Sequence, residues 1–330
     1  MRSGRLIAAF ALAAACGAAG AQPAPTASYP TRPIRMIVPF PPGGTVDTVA
    51  RVVTAPMSDE LGQPLVIDNR AGGSGSIGSA FVSKAPADGY TLLLTASIIV
   101  GTPMLLTGIP YDVQKDFAPI SNLGSVPLLL VVNPGLPAAS FAEFVALARA
   151  QPGKLAFATS GIGSAGHLAT EMIKFNGKLD MVIAAYKGTA PALVDVVSGQ
   201  VAAMVDALPS SYAQVKAGKL RALAVTSPKR LAFLPDLATV AESGVPGFEG
   251  FDLVSWYGLW GPPGLPKAIT DRLSAAAARA IHSKLAAERL AGQSFVPVGS
   301  SAEAFAAYIA AETTKYRNLI DGAKIKRVSE

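Results

Sequence analysis

The sequence predicts an α/β protein of two domains that face each other across a ligand cleft, and three observations carry this reading. Arg35 to Val53, RMIVPFPPGGTVDTVARVV, spells an apolar strand from Met36 to Phe40, a turn through Pro41, Pro42, Gly43 and Gly44, and a helix opening near Thr45. Lys154 to Lys174, KLAFATSGIGSAGHLATEMIK, repeats the same strand, glycine turn and helix. Setting aside the first 21 of 330 residues leaves 309, enough for two domains of about 150 residues each.

Each turn aims unpaired backbone N–H groups and the positive end of a helix dipole at whatever sits above it, which favours an anion. One such turn is also what any strand-to-helix corner requires. Two of them, each at the carboxyl end of a strand, make the walls of a cleft when the domains face each other, and that is where open α/β sheets bind ligands.

The first 21 residues carry Arg2 and Arg5, an apolar run from Leu6 to Cys16, and small residues ending Ala19-Gly20-Ala21. This is the plan of a secretory signal peptide cleaved after Ala21, and the apolar run is too short to span a bilayer. Cys16, the one cysteine, admits a second reading as a lipoprotein anchor, although Ala13-Ala14-Ala15 lacks the leucine such a site carries three positions upstream. Cleavage after Ala21 leaves a mature chain without thiol or disulfide chemistry. The net charge then falls from +6 to +4, a mild basicity that suits a small anion and gives no push toward nucleic acid. The one basic cluster, Lys324 to Arg327, reads as a solvated tail. Tyr90 to Tyr111 carries no charge, but its Thr, Gly and Pro residues interrupt it, so it reads as a buried strand running into a loop.

After a Pro- and Ala-rich lead-in from Gln22 to Pro33 come the first strand and helix, then a strand LVIDN (Leu65 to Asn69) and a short helix from Ile77 to Lys84. ADGYTLLLTAS returns as a strand whose carboxyl end carries Thr95 and Ser97. LLLVVN follows Val126-Pro127 as a strand of a second unit, and Ser140-x-x-Glu143 is a capping box for a helix through Arg149. Further strands are expected in MVIAAY, in QVAAMVD ending at Asp206, and in RALAVTS, with a helix through Ser198 after Tyr186-Lys187-Gly188. FDLVSWYGLWGPPG reads as a strand returning to the first domain. Two long helices close the chain, Lys267 to Leu290 and Glu303 to Ile320, the second capped by Ser300-x-x-Glu303.

Gly73 to Gly78 and Gly161 to Gly166 both match the dinucleotide fingerprint by letter. That site needs an acid at the end of the next strand, and neither segment has one in place, so no nucleotide or other cofactor is expected. The chain also lacks a Gly-x-Ser-x-Gly elbow, a His-Glu-x-x-His helix and a P-loop, and it has two histidines. The expectation is a binding protein with no catalytic residues and no metal site.

Six blocks in order carry a more specific signal: YPTRPIRMIVPFPPGGTVDTVAR, VIDNRAGGSGSIGSAFVSKAPADGYTLLL, YDVQKDFAPIS, TSGIGSAGHLATEMIK, AYKGTAPALVDVVSGQVAAMVDALP and WYGLWGPPGLP. With them the mature chain resembles the Bug family of extracytoplasmic solute receptors, related to the tripartite tricarboxylate transporter substrate-binding proteins. The resemblance implies a type II periplasmic binding protein fold, with 28–126 and 252–330 forming one domain, 127–251 the other, and crossovers near Pro127 and Phe251 about which the domains close. It implies a periplasmic, monomeric receptor that grips a small carboxylate or related polar metabolite with backbone groups and waters of two loops, and that serves membrane transporter components. A sensor that feeds a signalling system is the alternative role. The first loop is then Phe40, Pro41, Pro42, Gly43, Gly44 and Asp47, and the second is Ser160, Gly161, Gly163, Ser164 and His167. Thr95, Ser97, Tyr186, Lys187, Gly188 and Asp206 line the remainder. Where the family more often has Glu-Asn-Arg-Pro, this chain has Asp68-Asn69-Arg70-Ala71.

Several of these polar residues have a structural reading beside the functional one. Asp47 either meets a ligand or complements its helix dipole. His167 is a ligand contact or a satisfied donor on a helix face, Lys187 an anion grip or a solvated lysine, and Asp206 a partner of a ligand donor or of a backbone N–H. His282 reads as a surface residue.

Overall fold

The hydrophobic runs pair into one continuous path of strands with helices on both faces. The computed structural model describes residues 29–290 and 294–329, so the signal peptide, its cleavage point and Cys16 lie outside the described residues. Strand β1 (Ile34–Val38) lies parallel between β2 (Leu65–Asn69) and β3 (Thr91–Ala96). Helix α1 (Thr45–Leu61) connects β1 to β2, and α2 (Ser76–Ser83) leads from β2 toward β3. Ile34, Met36, Ile37 and Val38 are all fully buried, as a central parallel strand covered on both faces requires. After β3 the chain forms α3 (Ile98–Leu105) and then the 15-residue strand β4 (Ala118–Val132).

The second unit adds α4 (Phe141–Ala150), β5 (Ala156–Thr159), α5 (Ala165–Gly177), β6 (Val182–Ala185), α6 (Thr189–Val197), β7 (Ala203–Ala207), α7 (Leu208–Lys216) and β8 (Arg221–Val225). The chain then returns through β9 (Val254–Gly261), α8 (Lys267–Ile281), α9 (Lys284–Leu290), β10 (Val296–Pro297) and α10 (Ala302–Gly322). The strand order is β2-β1-β3-β9-β4-β7-β5-β6, with β8 and β10 also on β4. Strand β4 belongs to both lobes. Up to Pro127 it pairs with β9, and from Leu128 it pairs with β7 and β8. Trp256, Trp260 and Phe305 pack together under the first sheet, and the Trp256 indole N–H donates to the Glu312 carboxylate at 2.9 Å.

Four local expectations change. Segment 98–105 is helical, because α3 is apolar all round and buried, so it has no amphipathic period to show. Strand β4 begins at Ala118, well before LLLVVN, since its first half is drawn into the sheet by β9. The expected helix from Lys267 to Leu290 breaks after Ile281, and the Ser283 hydroxyl starts α9 by accepting from Ala286 N–H. The cap of α10 is Ser301, which accepts from Ala304 N–H, while the Ser300 hydroxyl accepts instead from Asn122 N–H. The Ser140 cap of α4 forms with its reciprocal Glu143, whose carboxylate accepts from Ala139 N–H. Among the described residues no helix is long and apolar enough to cross a membrane.

Candidate functional site

The first glycine turn joins β1 to α1, and its shape is set from behind. Asp47, in the first turn of α1, accepts from Gly43 N–H at 3.1 Å, from Asn69 at 3.0 Å and from Arg51 at 2.8 and 3.1 Å. Burial alone pushes the Asp47 carboxyl up, but the bonds from Arg51, Gly43 and Asn69 outweigh it and hold the group below the ordinary carboxylate range. Asn69 also donates to the Phe40 carbonyl at 2.9 Å. Asp47 and Asn69 therefore brace the loop rather than face the cleft. Sequence reasoning left Asn69 out of the site because its partners are 22 and 29 residues away.

The second turn joins β5 to α5. Ser164 caps α5 by accepting from His167 N–H at 3.0 Å, and its hydroxyl lies 3.1 Å from the Thr159 hydroxyl. His167 is 4 % exposed, and its Nδ1 accepts from Gly163 N–H at 3.3 Å, which puts the ring proton on Nε2. Burial, aided by the charge of Lys174, pushes its pKa down to about 4, so the ring is neutral at physiological pH and props the loop.

The same turn touches the opposite lobe. Ile162 N–H donates to the Ser74 hydroxyl at 3.0 Å, and the Thr102 hydroxyl donates to the Ile162 carbonyl at 2.8 Å. Gly163, at φ +87°, lies so close to α3 that a Cβ there would sit 2.3 Å from the Thr102 nitrogen. Gly161 packs on Ile98 and Ser74 in the same contact.

Of the remaining candidates, the Tyr186 hydroxyl donates to Asp195, Lys187 is exposed, and Gly188 lies against Pro41 of the first loop. Thr95 is buried beside the cleft. Pro42 and Gly43 are exposed beside it.

Between the two turns lies a cavity of about 520 Å³, counting its open mouth. Its walls include seven of the sequence-derived candidates: Phe40, Pro41, Gly44, Ser97, Ser160, Ser164 and Asp206. Pro42, Gly43, Asp47, Thr95, Gly161, Gly163, His167, Tyr186, Lys187 and Gly188 are not among the wall residues. Sequence reasoning missed Thr45, Val46, Ile98, Leu128, Thr189, Ser255 and Tyr257, which come from five different elements. Ser255 and Tyr257 lie on the return strand β9, where the aromatic run showed a strand but not its register.

Among the described residues the walls contain no Lys, Arg or His. They do contain the first residues or caps of α1, α3, α5, α6 and α7, so five helix N-termini converge on one space. Asp206, at the end of β7, is 4 % exposed and takes a 3.2 Å bond from Thr189 on Oδ1, while Oδ2 has no hydrogen-bond partner. Burial pushes the Asp206 pKa up to about 7, against the smaller opposing pull of Thr189, the Ala207 N–H and Ser160. The Ser97 hydroxyl is also buried without a partner. Together these groups offer an apolar chamber with many neutral donors, suited to a small anion whose charge is spread over backbone N–H groups.

Comparison with known proteins agrees with this architecture. Residues 49–325 match the family model described as the tripartite tricarboxylate transporter family receptor. The chain is 40 % identical over 311 residues to protein BugT of Bordetella pertussis, covering 93 % of this chain and 94 % of BugT. The solved structure of Rpa4515 from R. palustris with adipate is 37 % identical and superposes with a TM-score of 0.87, over 91 % of this chain and all of that one. MatC from Rhodopseudomonas palustris with bound malate is 30 % identical with a TM-score of 0.82, over 88 % of this chain and all of MatC. With its two-lobed α/β fold and this match over most of its length, the chain belongs to the Bug-type periplasmic binding proteins of the tripartite tricarboxylate transporter receptor family.

Proposed function

We propose that this protein is an extracytoplasmic receptor that closes its two lobes, 28–126 with 252–330 and 127–251, on a small carboxylate. It hands that ligand to the membrane components of a tripartite-type transporter and catalyses no reaction. The observation that carries this reading is the convergence of five helix N-termini on a cavity whose walls, among the described residues, carry no basic side chain. Such a site holds an anion by many partial charges and releases it without breaking an ion pair. Related structures with adipate and malate support the ligand class.

A thermal-shift panel of acetate, benzoate, succinate, malate, adipate and citrate tests it. At least one member is expected to raise the melting temperature in a concentration-dependent way, by about 2.7 kcal/mol of added stability at 100 times its Kd. Silence of the whole panel would overturn the carboxylate reading. The leader read from the sequence supports a periplasmic location, and the exported chain is expected to begin at Gln22. Mass spectrometry of the mature N-terminus decides this, and a lipid-modified Cys16 would replace it.

A further inference from the structure

Among the described residues Asp206 is the only acidic side chain on the cavity wall. Its Oδ1 is taken by Thr189, whereas Oδ2 is buried and unpartnered in a chamber whose other polar groups are hydroxyls and backbone amides. Resting on the carboxylate reading above, this sets two carboxyl groups against each other with no cation between them. Two like charges sharing a dry site do not both stay ionised, and one of them takes a proton. The ligand carboxylate is the one stabilised by several helix N-termini, so the proton falls to Asp206.

We propose that Asp206 recognises the ligand as a neutral acid, its Oδ2–H donating to an oxygen of the bound carboxylate, so that binding takes up one proton from solvent. The ligand stays anionic, and no bond other than the O–H on Asp206 is made. Among the described residues the charged groups on the elements around β7 are engaged elsewhere: on α5, Lys174 pairs with Glu171 at 3.4 Å. Tyr257 on β9 faces Asp206 with a phenol that burial keeps protonated. His167 on α5 is neutral and turned to Gly163, and Asp195 on α6 is engaged by Tyr186. Lys216 on α7 lies over the Tyr212 ring, and Asp47 on α1 is held by Arg51. The upward push that burial gives the Asp206 carboxyl, to about 7, agrees with a group poised to carry this proton.

The test is isothermal titration of the full purified protein with the panel member giving the largest thermal shift, in buffers of different ionisation enthalpy, from about pH 5.5 to about pH 9. In that range these carboxylates are essentially ionised, apart from a fraction of the second groups near its lower end. The expected result is proton uptake rising from near zero to near one, with affinity falling about tenfold per pH unit above about pH 7. Asp206→Asn, whose amide donates at every pH, is expected to bind with affinity that does not change over that range. Flat wild-type affinity with no proton uptake overturns the inference and leaves the carboxylate reading intact. An Asp206→Asn variant that keeps the wild-type slope overturns the assignment to Asp206, and if that variant does not fold, the wild-type titration decides alone. A panel that never binds at any pH overturns both.

Discussion

Gly163→Ala is expected to weaken carboxylate binding about 100-fold while Gly43→Ala weakens it far less. The two glycines make a matched pair, since both sit at φ +87° in corresponding turns, so an alanine carries the same backbone strain of about 1–3 kcal/mol at either position. Their surroundings differ. A Cβ on Gly43 meets nothing within 4 Å, whereas one on Gly163 falls 2.3 Å from the Thr102 nitrogen and 2.4 Å from the Gly101 carbonyl carbon. That contact joins the lobes, so opening the cleft relieves it. If the clash disfavours the closed arrangement by about 3 kcal/mol, the binding-competent fraction and the apparent affinity fall together by about 100-fold. Calorimetric titration measures the affinity, and the ligand-free melting temperatures report whether the two variants are equally strained. Equal affinities in the two variants would sink the idea that the second turn acts by closing on the first lobe.

Thr226→Val is expected to destabilise the protein by about 2–4 kcal/mol although it preserves shape and volume. Thr226 is fully buried just past β8, where both connections between the lobes pass. Its hydroxyl accepts from Leu128 N–H at 2.9 Å and donates to the Leu253 carbonyl at 2.6 Å. Its backbone N–H donates to the Leu128 carbonyl at 3.0 Å. One side chain thus ties the point where β4 changes partners to the segment that enters β9. Valine removes the hydroxyl from both backbone groups, and a buried polar group left unmade costs about 1–3 kcal/mol. Thr226→Ser, which keeps the oxygen, is expected to lose much less. Urea unfolding reads both, and a valine variant within about 0.5 kcal/mol of the parent contradicts the assigned role.

The local grammar of this chain was legible because its causes are local. The strand, glycine turn and helix at Met36 to Val53 and at Lys154 to Lys174 depend on neighbouring residues alone, as does the Ser140 cap with Glu143. Helix α3 was hidden because a helix buried on every side has no polar face to give it a period. The first half of β4 was hidden because β9, more than 120 residues later, makes it a strand.

At the site, sequence determined that two helix-starting glycine turns exist and what kind of charge they favour, since unpaired N–H groups and dipoles are properties of the turn itself. Only the tertiary structure decided which way each polar side chain points. Asp47 and His167 occupy equivalent first-turn positions and turn back to hold Gly43 and Gly163, because N–H donors lie within reach there. Asp206 takes its one well-formed bond from Thr189 on Oδ1, with weaker pulls from the Ala207 N–H and Ser160, and its Oδ2 makes no hydrogen bond, so it faces the chamber. Which atoms share a buried space, and which of them lack a partner, depends on contacts between residues far apart in the chain, such as Thr189, Tyr257 and Thr45, and these exist only when the lobes are assembled.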